Sequence, residues 1–224
     1  MDDLACARPG LSPIIAAVAA FLLSACADSP STQLDAVKSS GKLVVVTRNA
    51  PTSYYESPEG PAGMAYDLLK AFADSLKVAL ELVVADTASK LVPLVADNRA
   101  QMAAGLTITD VRERQLRFGS PYQEVNMQIV YRLGTKAPRT VEDLVGREIE
   151  VPGDSSYAER LEALRREHPE LTWRETQDDS AEALLQMVWR GLLEFTIADS
   201  HVVAIARQHH PELRGAFALD APQA

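Results

Sequence analysis

The sequence predicts an α/β fold made of two small units in series. Three observations carry that prediction: β-branched runs alternate with helically spaced apolar residues, the alternation starts again after residue 130, and the connections between elements are short and polar. Of the 224 residues, 47% are hydrophobic and 24% charged, enough to bury a core across one or two domains. The formal net charge is −9, from 22 Lys and Arg against 31 Asp and Glu. A surface of that sign does not release counterions from a phosphate backbone, so no nucleic-acid partner is expected. Both cysteines, Cys6 and Cys26, fall in the first 26 residues, which leaves the folded part to hold together by burial, without a disulfide or a Cys-based zinc framework.

The elements follow in order. Ile14–Ala25 is an uncharged apolar run of 12 residues, short of the roughly 20 that span a bilayer. It reads as the apolar region of a signal peptide, although Asp2 and Asp3 precede it with only Arg8 where a positive bias is usual. Leu23-Ser24-Ala25-Cys26 resembles the lipobox of bacterial lipoproteins, which implies removal of residues 1–25 and lipidation of Cys26. Ala27 after the Cys, where Asp is absent, implies sorting to the outer membrane. Residues 26–40, in which the polar ADSPSTQ of Ala27–Gln33 follows Cys26, are expected to act as a tether.

Lys42–Arg48, Ala79–Ala85 and Met102–Ile108 read as strands, with helices over Met64–Lys77 and Ala88–Asn98 between them. Met64, Leu68, Leu69, Phe72 and Leu76 supply the apolar spacing of the first helix. Such alternation argues a mostly parallel sheet with crossover helices over residues 41–130. Asn126–Arg132 mixes Gln, Tyr and Arg into a strand and reads as a connector. The second unit, 131–224, opens on a short helix closed by Gly146 and continues with strand Glu148–Val151 and helix Tyr157–His168. A short strand over Thr172–Glu175, helix Ser180–Arg190, strand Phe195–Asp199 and helix Ser200–His209 complete it.

Ligands of open α/β sheets sit beyond the carboxyl ends of the strands. Four places there carry polar chemistry: Arg48–Tyr55 with Tyr54, Gly105–Arg112 with Thr107 and Thr109, Gly153–Tyr157 with Ser155 and Ser156, and Ala198-Asp199-Ser200. A guanidinium, free N–H groups at a helix start and a carboxylate together suit a small zwitterion held between two closing lobes. Each also has a plainer reading: Arg112 on a charged helix face, Asp199, Ser155 and Ser156 as helix caps, Tyr54 as packing. Acid catalysis of glycan cleavage needs a buried carboxyl of raised pKa, and no residue here is identified for that role. The G-x-S-x-G of a nucleophile elbow does not occur. His209-His210 diverge on a helix and make a poor chelate. No metal or cofactor is expected.

Taken together, Gly63–Leu68, Ala104–Arg112, Phe118-Gly119-Ser120-Pro121-Tyr122 and Ile197-Ala198-Asp199 resemble the family 3 periplasmic solute-binding proteins, with the two-lobed type II periplasmic-binding fold, over roughly residues 33–219. The resemblance implies that Arg112 holds a ligand carboxylate, that Thr107 and Thr109 add nearby N–H and hydroxyl contacts, and that Asp199 holds the amino group. Ala65 stands where that family carries an acidic residue.

The stretches AGLTITDVRER, KAPRTVEDL and FTIADSHVVAIA look like the non-catalytic N-terminal part of the membrane-bound lytic transglycosylase F family, whose lysozyme-like domain cleaves peptidoglycan. That likeness implies an amino-acid or muropeptide-like ligand, an outer-membrane lipid anchor, and peptidoglycan as partner of a further domain. The alternative is a stand-alone amino-acid-binding lipoprotein of an ABC transporter. The resembled fold returns its chain through the second lobe to the first, so a chain stopping at Ala224 is expected to be incomplete at the C-terminus, with an unpaired sheet edge.

Overall fold

A computed structural model describes residues 32–220. The predicted signal peptide and Cys26 lie outside the described residues. The chain divides at Gly41 into two compact units. In the first, Gln33–Ser40 forms helix α1, so the stretch read as a tether to residue 40 contains a helix. The reason is local: the Thr32 hydroxyl accepts from Asp35 N at 3.1 Å, and Gly41 closes the helix at φ 69.

From Lys42 onward two sheets follow one another. The first has β1 (Lys42–Arg48) at its centre, flanked by β4 (Ala79–Ala85) and β5 (Met102–Ala103), all parallel as predicted. Between β1 and β4 the chain makes the hairpin β2 (Tyr55–Ser57) and β3 (Gly60–Ala62), then helix α2 (Met64–Leu76). The hairpin was not anticipated, although Ser57-Pro58-Glu59-Gly60 is a recognisable turn, with Gly60 at φ 115.

Helix α2 presents a different face from the one its large residues suggest. Ala65, Leu69 and Ala73 are buried, whereas Met64, Leu68 and Phe72 remain 43%, 48% and 42% exposed. Both sets repeat at i, i+4, i+8, and the small residues win because alanine lets the helix axis approach the sheet closely. Helix α3 (Leu91–Ala96), after a 3₁₀ turn at Ala88–Lys90, seats Leu91 against Val46, Ala85 and Ala100. The strand expected over Met102–Ile108 is only two residues long. Gly105 breaks it at φ +76, where a Cβ would stand 2.6 Å from Ser53 Oγ. The freed segment leads into helix α4 (Asp110–Glu113).

The second sheet has the order β10-β6-β9-β7-β8. Its strands are β6 (Met127–Arg132), β7 (Ile149–Pro152), β8 (Arg174–Thr176), β9 (Phe195–Asp199) and β10 (Leu213–Ala218). β7 pairs parallel with β8 and β9, while β6 runs antiparallel to both β9 and β10. β6 is therefore an interior strand of the second sheet, and the boundary expected at 130/131 cuts through it. Met127, Ile129 and Val130 supply its buried surface, and Gln128 and Tyr131 are tolerated at half-buried positions.

Successive β6 side chains feed opposite layers. Ile129 packs with Leu144, Ile149, Leu161, Phe195 and Ile197 beneath helix α5 (Ser156–Arg165). Val130 packs with Leu184, Val188, Ala198, Val202 and Leu213 beneath helices α6 (Ala181–Arg190) and α7 (Ser200–His209). All five residues of β9 are buried, as a strand covered on both faces requires. Among the described residues no helix is long and apolar enough to cross a membrane.

Candidate functional site

Asp199 ends β9 at the carboxyl edge of the second sheet, and Arg48 ends β1 at the carboxyl edge of the first. The segment freed by Gly105 carries Thr107 and Thr109 to α4, which bears Arg112. Thr109 caps α4, its hydroxyl accepting from Arg112 N at 3.3 Å. The Arg112 guanidinium is bent back so that Nη1 donates to the Thr107 carbonyl at 3.0 Å, and the residue is only 6% exposed. Burial lowers its pKa, and electrostatic interaction with Glu159, then with Tyr157 and Asp199, opposes that shift. A guanidinium stays protonated throughout.

The second sheet supplies the opposite wall. The Ser155 hydroxyl accepts from Ala158 N at 3.2 Å and donates to the Pro152 carbonyl at 2.5 Å, so it caps α5. The N-terminus of α5, with Ser156 and Tyr157, adds partial positive charge. Asp199 occupies the cap position of α7 yet makes no cap bond. Its plainer reading as a helix cap therefore fails. It is 9% exposed, its Oδ1 has no hydrogen-bond partner, and its carboxyl is raised to about 6, chiefly by burial, with the nearby Tyr157 hydroxyl and Arg48 opposing the shift. Burial in turn pushes the Tyr157 hydroxyl well above its ordinary value.

Two contacts reach across. Arg112 Nε lies 3.7 Å from Glu159 of α5, and Arg48 Nη1 lies 3.6 Å from Glu182 of α6. Arg48, Thr107, Arg112, Ser155, Ser156, Tyr157 and Asp199 line one cavity of about 70 Å³. A larger one of about 390 Å³ shares Arg48, Thr107, Tyr157 and Asp199, adds Ser53 and His201, and continues along the exposed face of α2 past Leu68 and Phe72.

Of the residues singled out from the sequence, Arg112, Asp199, Thr107, Ser155 and Ser156 come together. Two do not. Thr109 lines neither cavity and acts as a cap for the helix that carries Arg112. Tyr54 also lies outside both cavities: its hydroxyl donates to Glu56 and its ring packs 6.0 Å from Tyr66, which matches the packing reading. Sequence reasoning placed Arg48 and Tyr157 within polar strand-end segments without giving either a role, and missed His201, Glu159 and Glu182. Arg48 was legible as the last residue of a strand, whereas the two glutamates are ordinary first-turn acids of their helices and only the approach of the two walls gives them a role.

This arrangement can hold a small ligand that carries an anion toward Arg112 and the α5 N-terminus and a cation toward Asp199. The description "Bacterial extracellular solute-binding proteins, family 3" matches residues 42–218. A membrane-bound lytic murein transglycosylase F of Saccharophagus degradans is 41% identical over 95% of this chain and 42% of its own length. Transglycosylase F 1 of Alkalilimnicola ehrlichii is 41% identical over 85% of this chain and 39% of its own. The chain thus spans about two-fifths of the length of these curated relatives. Among solved structures, the arginine-bound form of truncated ArgBP from T. maritima superposes with a TM-score of 0.71 at 25% identity, covering 85% of this chain and 89% of that one. The fold is the type II periplasmic-binding one, and the chain belongs to the family 3 bacterial extracellular solute-binding proteins.

Proposed function

We propose that this chain is the solute-binding, sensing module of a peptidoglycan lytic transglycosylase, held by lipidated Cys26 on the periplasmic face of the outer membrane. Its ligand is an amino acid or a cell-wall peptide, and peptidoglycan is the substrate of a catalytic domain beyond this module. One observation carries the ligand class: Arg112 and Asp199 line a single cavity, and Asp199 keeps a buried, unpaired oxygen there. An isolated buried carboxylate is costly, so a ligand ammonium is its natural complement. The transglycosylase F relatives support the cell-wall context.

The second reading, a lipoprotein that delivers amino acids to an ABC transporter, draws on the likeness to arginine-bound ArgBP. Isothermal titration of the chain with the free amino acids and with purified muropeptides separates the two. Preferential muropeptide binding supports the sensing module, and micromolar or tighter binding of a free amino acid with no response to muropeptides supports transport. Failure of every probe to bind refutes the site itself.

A further inference from the structure

What fixes the separation of the two walls is itself informative. The apolar clusters built on Val46, on Ile129 and on Val130 each keep to one side of the cleft. Among the described residues, no hydrogen bond joins residues 43–116 to residues 149–219. Two ion pairs do join them: Arg112 of α4 with Glu159 of α5 at 3.7 Å, and Arg48 at the end of β1 with Glu182 of α6 at 3.6 Å. Every other ion pair among the described residues lies within one wall.

The four side chains are placed for such a role. The guanidinium side chains are 7% and 16% exposed and their glutamates 26% and 29%, so water and salt screen these pairs less than they screen a surface pair. Both acids stand in the first turn of a helix and both arginines at or next to a strand end, so backbone on each side sets the approach. At 3.6 and 3.7 Å neither contact is a hydrogen bond, and the attraction is Coulombic. Opening the cleft separates both pairs at once and returns four ions to water, which makes the hold modest and releasable.

We propose that Arg112–Glu159 and Arg48–Glu182 form a two-point charge latch that holds the empty cleft shut. Glu159 and Glu182 are then conformational residues: they act on the separation of the walls through the two arginines, and removing their charge lets the walls swing apart while each wall stays folded. The latch works with no ligand present, so it stands or falls independently of the ligand class proposed above.

The test is small-angle X-ray scattering of the ligand-free full chain, with circular dichroism to confirm that each variant is folded. At low salt the double variant Glu159→Gln, Glu182→Gln has a radius of gyration about 1 Å above the wild type, for which a compact chain of this length gives about 17 Å. Each single variant falls between the two. In about 1 M NaCl, where the screening length drops to about 3 Å, the wild type expands toward the double variant and the double variant does not change. A control, Glu148→Gln with Glu162→Gln, removes the same charge from pairs within one wall and keeps the wild-type radius. A double variant as compact as the wild type overturns the latch, as does an equal expansion of the control. The salt response of the wild type decides the matter even where a variant fails to fold: a radius that is the same at low and high salt overturns the latch.

Discussion

Replacing Asp199 by Asn should stabilise the ligand-free protein at neutral pH and weaken its site. The carboxyl titrates at about 6 in the folded chain against 3.8 as a model side chain, with burial as the largest cause. Between those values the folded state holds a proton that the unfolded state has released. Stability from this group is therefore complete below pH 3.8, declines as pH rises to about 6, and stays low above it. At 1.36 kcal/mol per pH unit the ionised carboxylate costs the folded chain about 3 kcal/mol at pH 7. Opening the cleft rehydrates Asp199, which makes that figure a ceiling. Asn is isosteric and carries no such cost. Urea denaturation of both proteins from pH 4 to 8 is the assay: Asp199→Asn gains up to about 3 kcal/mol at pH 7, and the gain shrinks toward zero at pH 4. Other carboxylates titrate in the same range but cancel in the difference between the two proteins. A gain that does not depend on pH, or a loss at pH 8, would refute burial of an ionisable, unpaired Asp199. A ligand ammonium reverses the balance, so the same variant loses affinity for free amino acids and retains it for N-acetylated ones.

Two further outcomes follow from the geometry. Arg112→Ala should lower amino-acid or peptide affinity at least 100-fold, about 2.7 kcal/mol, in isothermal titration. Its midpoint of thermal unfolding should move by only a few degrees, because the side chain's contacts within the chain are the Thr107 carbonyl and a 3.7 Å approach to Glu159. Gly63→Ala places a Cβ 2.3 Å from the Ser53 carbonyl oxygen at φ 130, and should cost about 2–3 kcal/mol in chemical denaturation because backbone must move at the start of α2.

How much of this was written in the sequence depends on whether the signal was local. β1, β4, α6 and β9 were legible because each is defined by its own periodicity and by caps such as Ser180 and Gly191. The face of α2 was not, since two interleaved stripes share one spacing and only the presence of the sheet decides between Ala65/Ala73 and Leu68/Phe72. β6 was misread as a connector because Gln128 and Arg132 dilute a strand whose other residues are buried in the second sheet. β10 escaped notice because Leu213–Ala218 carries Arg214 and Gly215, and it is its partner β6 that orders it. In the site, Arg112 and Asp199 could be named from motif resemblance. Their partners Tyr157, Glu159 and Glu182 could not, because opposition across a cleft is a long-range fact.

The partners alter what the named residues mean. Arg112 and Arg48 each have a glutamate on the facing wall, at 3.7 and 3.6 Å, so neither cation depends on a ligand for compensation when the cleft is closed. Both distances exceed hydrogen-bond length, which leaves the glutamates exchangeable for a better-placed acceptor. Asp199 has no cation within ion-pair distance. Tyr157 and the guanidiniums offset only part of its burial, which is why its carboxyl stays near 6. The ligand's anionic end therefore replaces an existing counter-ion, whereas its cationic end fills a vacancy in the charge balance. Replacement gains only the difference between two ion pairs, while pairing an uncompensated buried carboxylate recovers most of its desolvation cost. The free energy that favours closure around a ligand comes chiefly from the ammonium at Asp199, whereas truncating Arg112 costs affinity because it leaves both the ligand carboxylate and Glu159 without a cation.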